Sequence, residues 1–399
     1  MITVFHIVKE IGETIFNSSI DFLEETGSRE AFKSNRFMEL LLDFSTDMTT
    51  RVASDRLNRI RLEDQGISPQ TLRNTVEREG LRIQSHLDEQ SATVLEENGV
   101  TINEAGQLQK DAAFDIDESD HIQAEDVQAA ADRLEIKSFN VSDYESPDST
   151  VNISVDDVGV KRQTECRPRQ NNPDEQPKRV NNTVIHVQEG DGNYILNSAS
   201  VIGGFIQLVS FLIHNGLLGK QLVFFVDGAR NINNAIASLF HKLNFKVILD
   251  WYHLNKKCRE QLSLALKGRK IRNDLLDKLC PLLWFGSVDY AIALLREVNP
   301  HMIKNQIVID KLIEYLERVR NFIPCYALRK ELGLRNSSNL VEKANDTIVA
   351  KRQKRNGMSW SDYGSVAFAS VTAAKCNGQL FRWVKSQSLC LSFEREDAA

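Results

Sequence analysis

The amino-acid sequence predicts an α/β protein: a mixed sheet, an all-helical insertion within it, and a mostly helical segment ahead of it. Three observations carry that prediction. Between residues 151 and 250, short strand-like segments surround one continuous apolar run. From Tyr252 to about Arg335 the pattern turns almost wholly helical. Residues 1 to about 98 also space their apolar side chains as helices do.

In that leading segment Phe37, Leu40, Leu41 and Phe44, then Val52, Leu57 and Ile60, recur at helical intervals. TTRVASDRLNRI (49–60), a turn around Gln65-Gly66, and SPQTLRNTVEREG (68–80) read as two helices joined by a short loop. Ser68 suits an N-cap, Pro69 the first helical position, and Gly80 the end. Arg73 and Arg78 then lie on a helix that fits a major groove. A pair of helices packed for purely structural reasons explains the same residues, and the sequence leaves both open. Residues 99 to about 150 are acidic and poor in large apolar residues, which reads as a linker or loose subdomain with a short helix near Ala124 to Leu134.

VNISVD (151–156) alternates, with Val151, Ile153 and Val155 on one side of a strand. TVIHVQ (183–188) and NYILNSAS (193–200) are two more strands, and EGDG between them is hairpin chemistry. A helix follows at 201–215, then QLVFFVDG (221–228), an apolar strand of the kind buried on both faces. A helix from Asn231 to Leu243 leads to KVILD (246–250). Three locally linked strands, then strand, helix, strand, is the order of a ribonuclease H-like sheet. The expected boundaries are a helical domain at 1–98, a linker at 99–150, a core from 151–257 and 336–390, and a helical insertion at 258–335. Further helices are expected at about 339–354 and 361–385.

The chain's net charge is −6, which argues weakly against a surface coated for DNA. That average hides an acidic stretch from Asp111 to Asp148 and the basic run KRQKR at 351–355, and the local field decides whether phosphate is gripped. Six cysteines are widely spaced, with no C-x-x-C pair, so reduced thiols fit better than a zinc knuckle. The most apolar stretch, Val201 to Leu218, is interrupted by Gly203, Gly204, Gln207, His214 and Asn215 and reads as a buried helix. With no secretory pattern at its start, the chain is expected in the cytoplasm, associated with the nucleoid.

Three carboxylates stand out. Asp156 closes the first strand, on the face opposite Val155, and Asp157 competes with it for the same role. Asp227 ends the apolar strand and is followed by Gly228, which lets the chain turn away. Glu342 opens a helix capped by Ser337 or Ser338 and shares a face with Asn339, Asn345 and Asp346. Each alone has an ordinary reading, as a turn former, a cap or a solvated side chain. Together on this strand order they suit metal binding: hard cations take oxygen ligands, so Asp and Glu suffice. Two Mg²⁺ ions, with Mn²⁺ as a substitute, would activate an oxygen nucleophile and neutralise the leaving oxygen of a phosphodiester. The cations Lys351, Arg352, Lys354 and Arg355 follow Glu342 on the same segment, as a face holding both metal and phosphate would require.

The block D-G-A-R at 227–230, D-W-Y-H at 250–253, and E-x-x-N from Glu342 followed by R-x-x-x-G-M-x-W resemble bacterial insertion-sequence transposases of the DDE type, closest to groups allied with the Mutator-like superfamily. The resemblance covers about 151 to 385. It implies a ribonuclease H-like core with a helical insertion before the glutamate helix, and catalysis by Asp156, Asp227 and Glu342. It also places Asp250 and His253 near the site, His253 touching the scissile phosphate or orienting a carboxylate. Equally, Asp250 caps the next helix and His253 packs beneath it. The polar insert 163–182 departs from the family pattern; Arg167, Arg169, Lys178 and Arg179 within it either meet DNA or sit on a tolerated surface loop. Trp360 is a candidate for stacking on a base; Trp251 reads more simply as buried. The implied activity is cleavage and strand transfer at element ends and target DNA, by a homodimer or higher oligomer on double-stranded DNA, away from membranes. A DNA-binding transposon relic and a nuclease or resolvase of the same fold are the alternatives.

Overall fold

The computed structural model describes residues 34–61, 66–103, 106–110, 121–163, 179–338, 343–354 and 358–393. The chain enters through three helices, α1 (Asn35–Asp47), α2 (Thr50–Arg61) and α3 (Pro69–Glu97). A short antiparallel hairpin, β1 (Val100–Ile102) and β2 (Leu108–Lys110), and helix α4 (Ala124–Arg133) precede the main sheet. The sheet comprises β3 (Thr150–Lys161), β4 (Arg179–Glu189), β5 (Gly192–Ser198), β6 (Gln221–Val226) and β7 (Phe245–Leu249). Helix α5 (Val201–His214) joins β5 to β6, and α6 (Arg230–Leu239) joins β6 to β7.

The strand order is β5-β4-β3-β6-β7. The first three strands pair antiparallel, while β6 and β7 run parallel to β3. This is the mixed ribonuclease H-like sheet that the strand order in the sequence predicts. The two parallel connections carry a helix each, as a crossover requires. All six residues of β6 are buried. Leu222, Phe224 and Val226 pack with Val151, Ile153 and Val155, whereas Val223 and Phe225 pack with the helical insertion.

Two boundaries differ from expectation. The strand expected to stop at Asp156 runs to Lys161, because β4 continues the ladder from Asp156↔Val184 to Lys161↔Arg179. The helix expected to end at Gly80 runs on to Glu97. Ser68 is its N-cap, as the sequence indicates, with Oγ accepting from the Thr71 amide at 3.0 Å. Gly80 serves a close helix crossing instead. A β-carbon built there would lie 2.1 Å from the carbonyl oxygen of Ala367, in the helix Asp362–Cys376. Gly80→Ala therefore forces two backbones apart and is expected to destabilise by about 1–3 kcal/mol or more. An unchanged urea midpoint would show that the helices do not meet so closely.

The core also runs through the boundary expected near residue 98. Phe37, Leu41 and Leu42 of α1 and Leu72, Val76 and Ile83 of α3 join the same apolar cluster as Val151, Ile153 and Phe224 of the sheet.

The insertion consists of α7 (Trp251–Ala265), α8 (Arg269–Trp284), α9 (Val288–Arg296), α10 (Gln306–Val319) and α11 (Tyr326–Glu331). Leu254, Cys258, Leu262, Leu279, Leu283, Leu312 and Leu316 form its own core, closed by Val223, Phe225 and Leu249 of the sheet. A buried ion pair ties its far end back to the sheet: Arg329 Nη2 lies 2.6 Å from Glu145 Oε1, and Lys246 Nζ of β7 lies 3.2 Å from Glu145 Oε2. The chain then returns through a π-helix, Asp346–Lys354, to α12 (Asp362–Cys376) and α13 (Leu380–Ser386). A single helix was expected over 361–385; Gly378, at φ +72°, separates the two. Among the described residues no helix is long and apolar enough to cross a membrane.

Candidate active site

Register brings the strand-tip aspartates together. Pairing of β3 with β6 ends at Ser154↔Phe225, and pairing of β6 with β7 ends at Val226↔Leu249. Two residues beyond the first pair stand Asp156 and Asp227, level with each other on neighbouring parallel strands. Side chains alternate along a strand, so Asp156 shares a face with Ser154. That face is the one on which Val223 and Phe225 meet the insertion. Asp157 points the other way, toward Asn181, whose Nδ2 donates to it at 3.1 Å, and toward the Thr183 hydroxyl at 3.5 Å.

Each carboxylate is held by its own turn. Asp156 Oδ1 accepts from the Asp157 amide at 2.8 Å. Asp227 Oδ1 accepts from the Ala229 amide at 2.8 Å, across Gly228 at φ +86°. That left-handed glycine releases the chain from β6 and leaves Asp227 at the turn. The proximity has an electrostatic signature. Burial raises the Asp156 carboxyl above its usual range, and the Asp227 charge raises it further, against the Asp157 amide and the charge of His253, which lower it. Asp157 is also raised, first by burial, with its hydrogen bonds to Thr183 and Asn181 opposing and the Asp227 charge adding.

The other oxygen of Asp156 is bonded from a distant part of the chain. Asn345 Nδ2 donates to Asp156 Oδ2 at 2.6 Å, while Asn345 Oδ1 is buried without a hydrogen-bond partner among the described residues. Thus the segment entering the π-helix lies against β3 at the first aspartate. Removing this donor withdraws a bond that favours the charged carboxylate. Asn345→Ala is therefore expected to raise the Asp156 pKa further, and carbon-detected NMR titration of the carboxyl checks it; an unmoved titration would mean the bond is not formed in solution.

The remaining sequence candidates divide by their surroundings. Glu342 and Arg355 lie outside the described residues, as do Arg167, Arg169 and Lys178. Asp250 is wholly buried and is the N-cap of α7: Oδ1 accepts from the His253 amide at 3.0 Å, and Oδ2 accepts from both the amide and the hydroxyl of Ser338. With both oxygens so engaged, its geometry is that of a cap and a clasp on the returning chain. His253, half-buried, stands in the field of Asp156. Trp251 packs against Trp284 and Tyr326 with ring centroids 4.8 and 5.2 Å away.

Trp360 is 3% exposed, set edge-on to Phe368, and donates Nε1–H to the Gln353 carbonyl at 3.2 Å, so its ring is not offered to a base. Arg352 is buried over the Trp360 and Phe368 rings, and burial pulls its pKa down to about 10. Ile348, Val349, Arg352 and Gln353 are the buried residues of the π-helix, and Arg352, four residues after Ile348, shares its inward face. Lys351 pairs with Asp47 at 3.5 Å, and Lys354 is exposed. Arg73 pairs with Glu77 at 2.8 Å and Arg78 with Glu79 at 3.2 Å, on a helix packed against α5 and α12. Arg179 is exposed at the start of β4.

Residues that sequence reading passed over complete the surroundings. Tyr315 of α10 lies beside Asp227: a β-carbon on Gly228 would stand 3.3 Å from its hydroxyl, and burial with the Cys258 and Asp227 charges raises its pKa. Arg318 Nη1 donates to the Gly228 carbonyl at 3.2 Å. On the sheet face of Asp156, His186 pairs in register with Ser154, and burial with the Arg335 charge holds its pKa down at about 4.

The donor set around Asp156 and Asp227 is all oxygen, which fits a hard divalent cation. Among the described residues, however, no three His, Cys, Asp or Glu side chains gather closely enough to hold a metal ion.

No protein-family model and no curated protein matches this chain. Among solved structures the chain is similar to the Drosophila P element transposase strand transfer complex, at 11% identity over 91% of this chain and 96% of that chain, with a TM-score of 0.37. So loose a superposition establishes no function, and the reading below rests on the chain's own geometry and motifs.

Proposed function

We propose that this chain is a DNA transposase of the DDE type, in which Asp156, Asp227 and Glu342 bind two Mg²⁺ ions for cleavage and strand transfer at phosphodiesters. The supporting observation is the level placement of Asp156 and Asp227 on adjacent parallel strands, with the Asp156 carboxyl raised by burial and by its neighbour's charge. A buried carboxylate whose ionisation a neighbouring charge opposes forms a site that a divalent cation relieves. The bound ions supply an activated oxygen nucleophile and stabilise the leaving oxygen. The chain's own part is to fix the two aspartates by their turns, to hold Asp156 through Asn345, and to bring His253 alongside. His253 then orients the carboxylate or the scissile phosphate.

The resemblance of D-G-A-R, D-W-Y-H and E-x-x-N to insertion-sequence transposases extends this chemistry to element ends and target DNA, acted on by a dimer or larger assembly. The test is incubation of duplexes carrying the element's terminal repeats with Mg²⁺, comparing wild type with Asp156→Asn and Asp157→Asn. End cleavage followed by joining to a second duplex is expected, lost in Asp156→Asn and retained in Asp157→Asn. Hydrolysis without joining would point to a nuclease, and binding with no cleavage to a relic.

A further inference from the structure

Beside the acidic pair, on its insertion side, stands a group of cations that carry a second chemistry. We propose that Arg318 and Lys257, gathered around the ring of Tyr315, form a binding site for the phosphodiester backbone of the DNA on which the acidic pair acts. The proposal rests on the reading of that pair as a DNA-processing site, and adds to it where the strand is gripped.

The site is built from two packed helices, α7 and α10. The guanidinium carbon of Arg318 lies 5.5 Å from the Tyr315 ring centroid, and Lys257 Nζ lies 5.8 Å from it. Arg318 is anchored through Nη1 to the carbonyl of Gly228, the residue after Asp227. A guanidinium has five N–H donors, so a fork held at one nitrogen keeps others to offer. Nearby arginines of the same bundle are neutralised: Arg296 pairs with Glu317 and Arg320 with Asp289, each at 2.8 Å. Among the described residues neither Arg318 nor Lys257 has a carboxylate within ion-pair distance. Among the described residues, therefore, no carboxylate takes up their charge.

A separate stripe lies on another face of α7, about 100° or more around the helix from Lys257. Tyr252, Lys256 and Arg259 are exposed on α7 and recur four and three residues apart, hence on one face. A planar fork immobilised by a ring and a carbonyl suits the paired oxygens of a phosphate, and the ordering is already made before the ligand arrives.

The experiment is fluorescence anisotropy with a short random-sequence DNA duplex in EDTA, so that no divalent ion contributes, repeated over a range of salt. Wild type is expected to bind with a steep salt dependence. Arg318→Gln and Lys257→Gln are each expected to weaken binding several-fold and to flatten the log–log salt slope by about one. Arg318→Lys should regain the slope but only part of the affinity, and Arg296→Gln should change neither. Thermal midpoints show whether each variant is folded. Wild-type affinity and slope in both folded glutamine variants would overturn the phosphate site. Absence of any duplex binding by wild type would instead overturn the DNA-processing reading beneath it, so the two failures are distinguishable.

Discussion

Asparagine in place of Asp227 is expected to remove DNA cleavage, by on the order of 10³-fold or more, because a neutral amide cannot hold a divalent cation against a developing oxyanion. Asp156→Asn should cost as much. Stability should move the other way. The folded Asp156 pKa is raised, first by burial and then by the Asp227 charge. Such a group contributes stability below its unfolded pKa, about 3.9, and loses it as pH rises through the folded value. At neutral pH in a chelator the ionised carboxylate therefore costs stability, and Asp156→Asn should unfold at a higher temperature than wild type. The gap should narrow as the pH falls toward 4. Inactivity combined with gain of stability is the mark of a site held under strain for its function; a variant that is destabilised and still cleaves would remove Asp156 from that role.

Methionine in place of Arg329 is expected to cost about 3–5 kcal/mol, because it leaves a buried carboxylate without its main partner. Glu145 Oε1 and Oε2 accept from Arg329 at 2.6 and 3.1 Å, and both side chains are almost fully buried. Arg329 Nε also donates to the Arg335 carbonyl at 3.1 Å, fixing the start of the chain's return toward Ser338 and Asp250. Burial alone would raise the Glu145 pKa, but the hydrogen bonds and charge of Arg329, with the Lys246 charge, outweigh it and hold the carboxyl below its usual range. Its contribution is thus present above the unfolded pKa, about 4.3, and is lost as pH falls through the depressed folded value. Urea denaturation at neutral pH and again near pH 3 checks this. The single variant should be hurt more than the double variant with Glu145→Gln, and equal losses would deny the coupling.

What was legible in the sequence was whatever local pattern governs. Alternation at Val151, Ile153 and Val155 and the unbroken run of β6 marked two strands, and Glu189-Gly190-Asp191-Gly192 marked the hairpin, with Gly190 at φ +54°. Ser68 capped where it should. Strand order makes β3 and β6 neighbours, but only their register in the fold sets Asp156 level with Asp227. What stayed hidden depends on segments remote in the chain. Gly80 looked like a helix end because nothing local reveals Ala367 across from it. Arg352 and Trp360 read as a basic, base-stacking surface because the run of charges draws attention away from the place of Arg352 four residues after Ile348, and nothing local shows that Trp360 packs on Phe368. Arg318 and Tyr315 sat in an ordinary amphipathic helix, and only tertiary packing carries them to Gly228. Asn345 shared a predicted face with Glu342, yet its bond to Asp156 needed the fold.

The central claim is that Asp156, Asp227 and a glutamate arriving from the far side of the insertion share divalent cations. Mn²⁺ titration followed by electron paramagnetic resonance reads this directly, with no DNA and no turnover. Wild type should take up Mn²⁺ in competition with Mg²⁺, and Asp156→Asn, Asp227→Asn and Glu342→Gln should each weaken uptake at least tenfold while Asp250→Asn and Asp157→Asn do not. Undiminished Mn²⁺ uptake by a folded Asp227→Asn protein would contradict it.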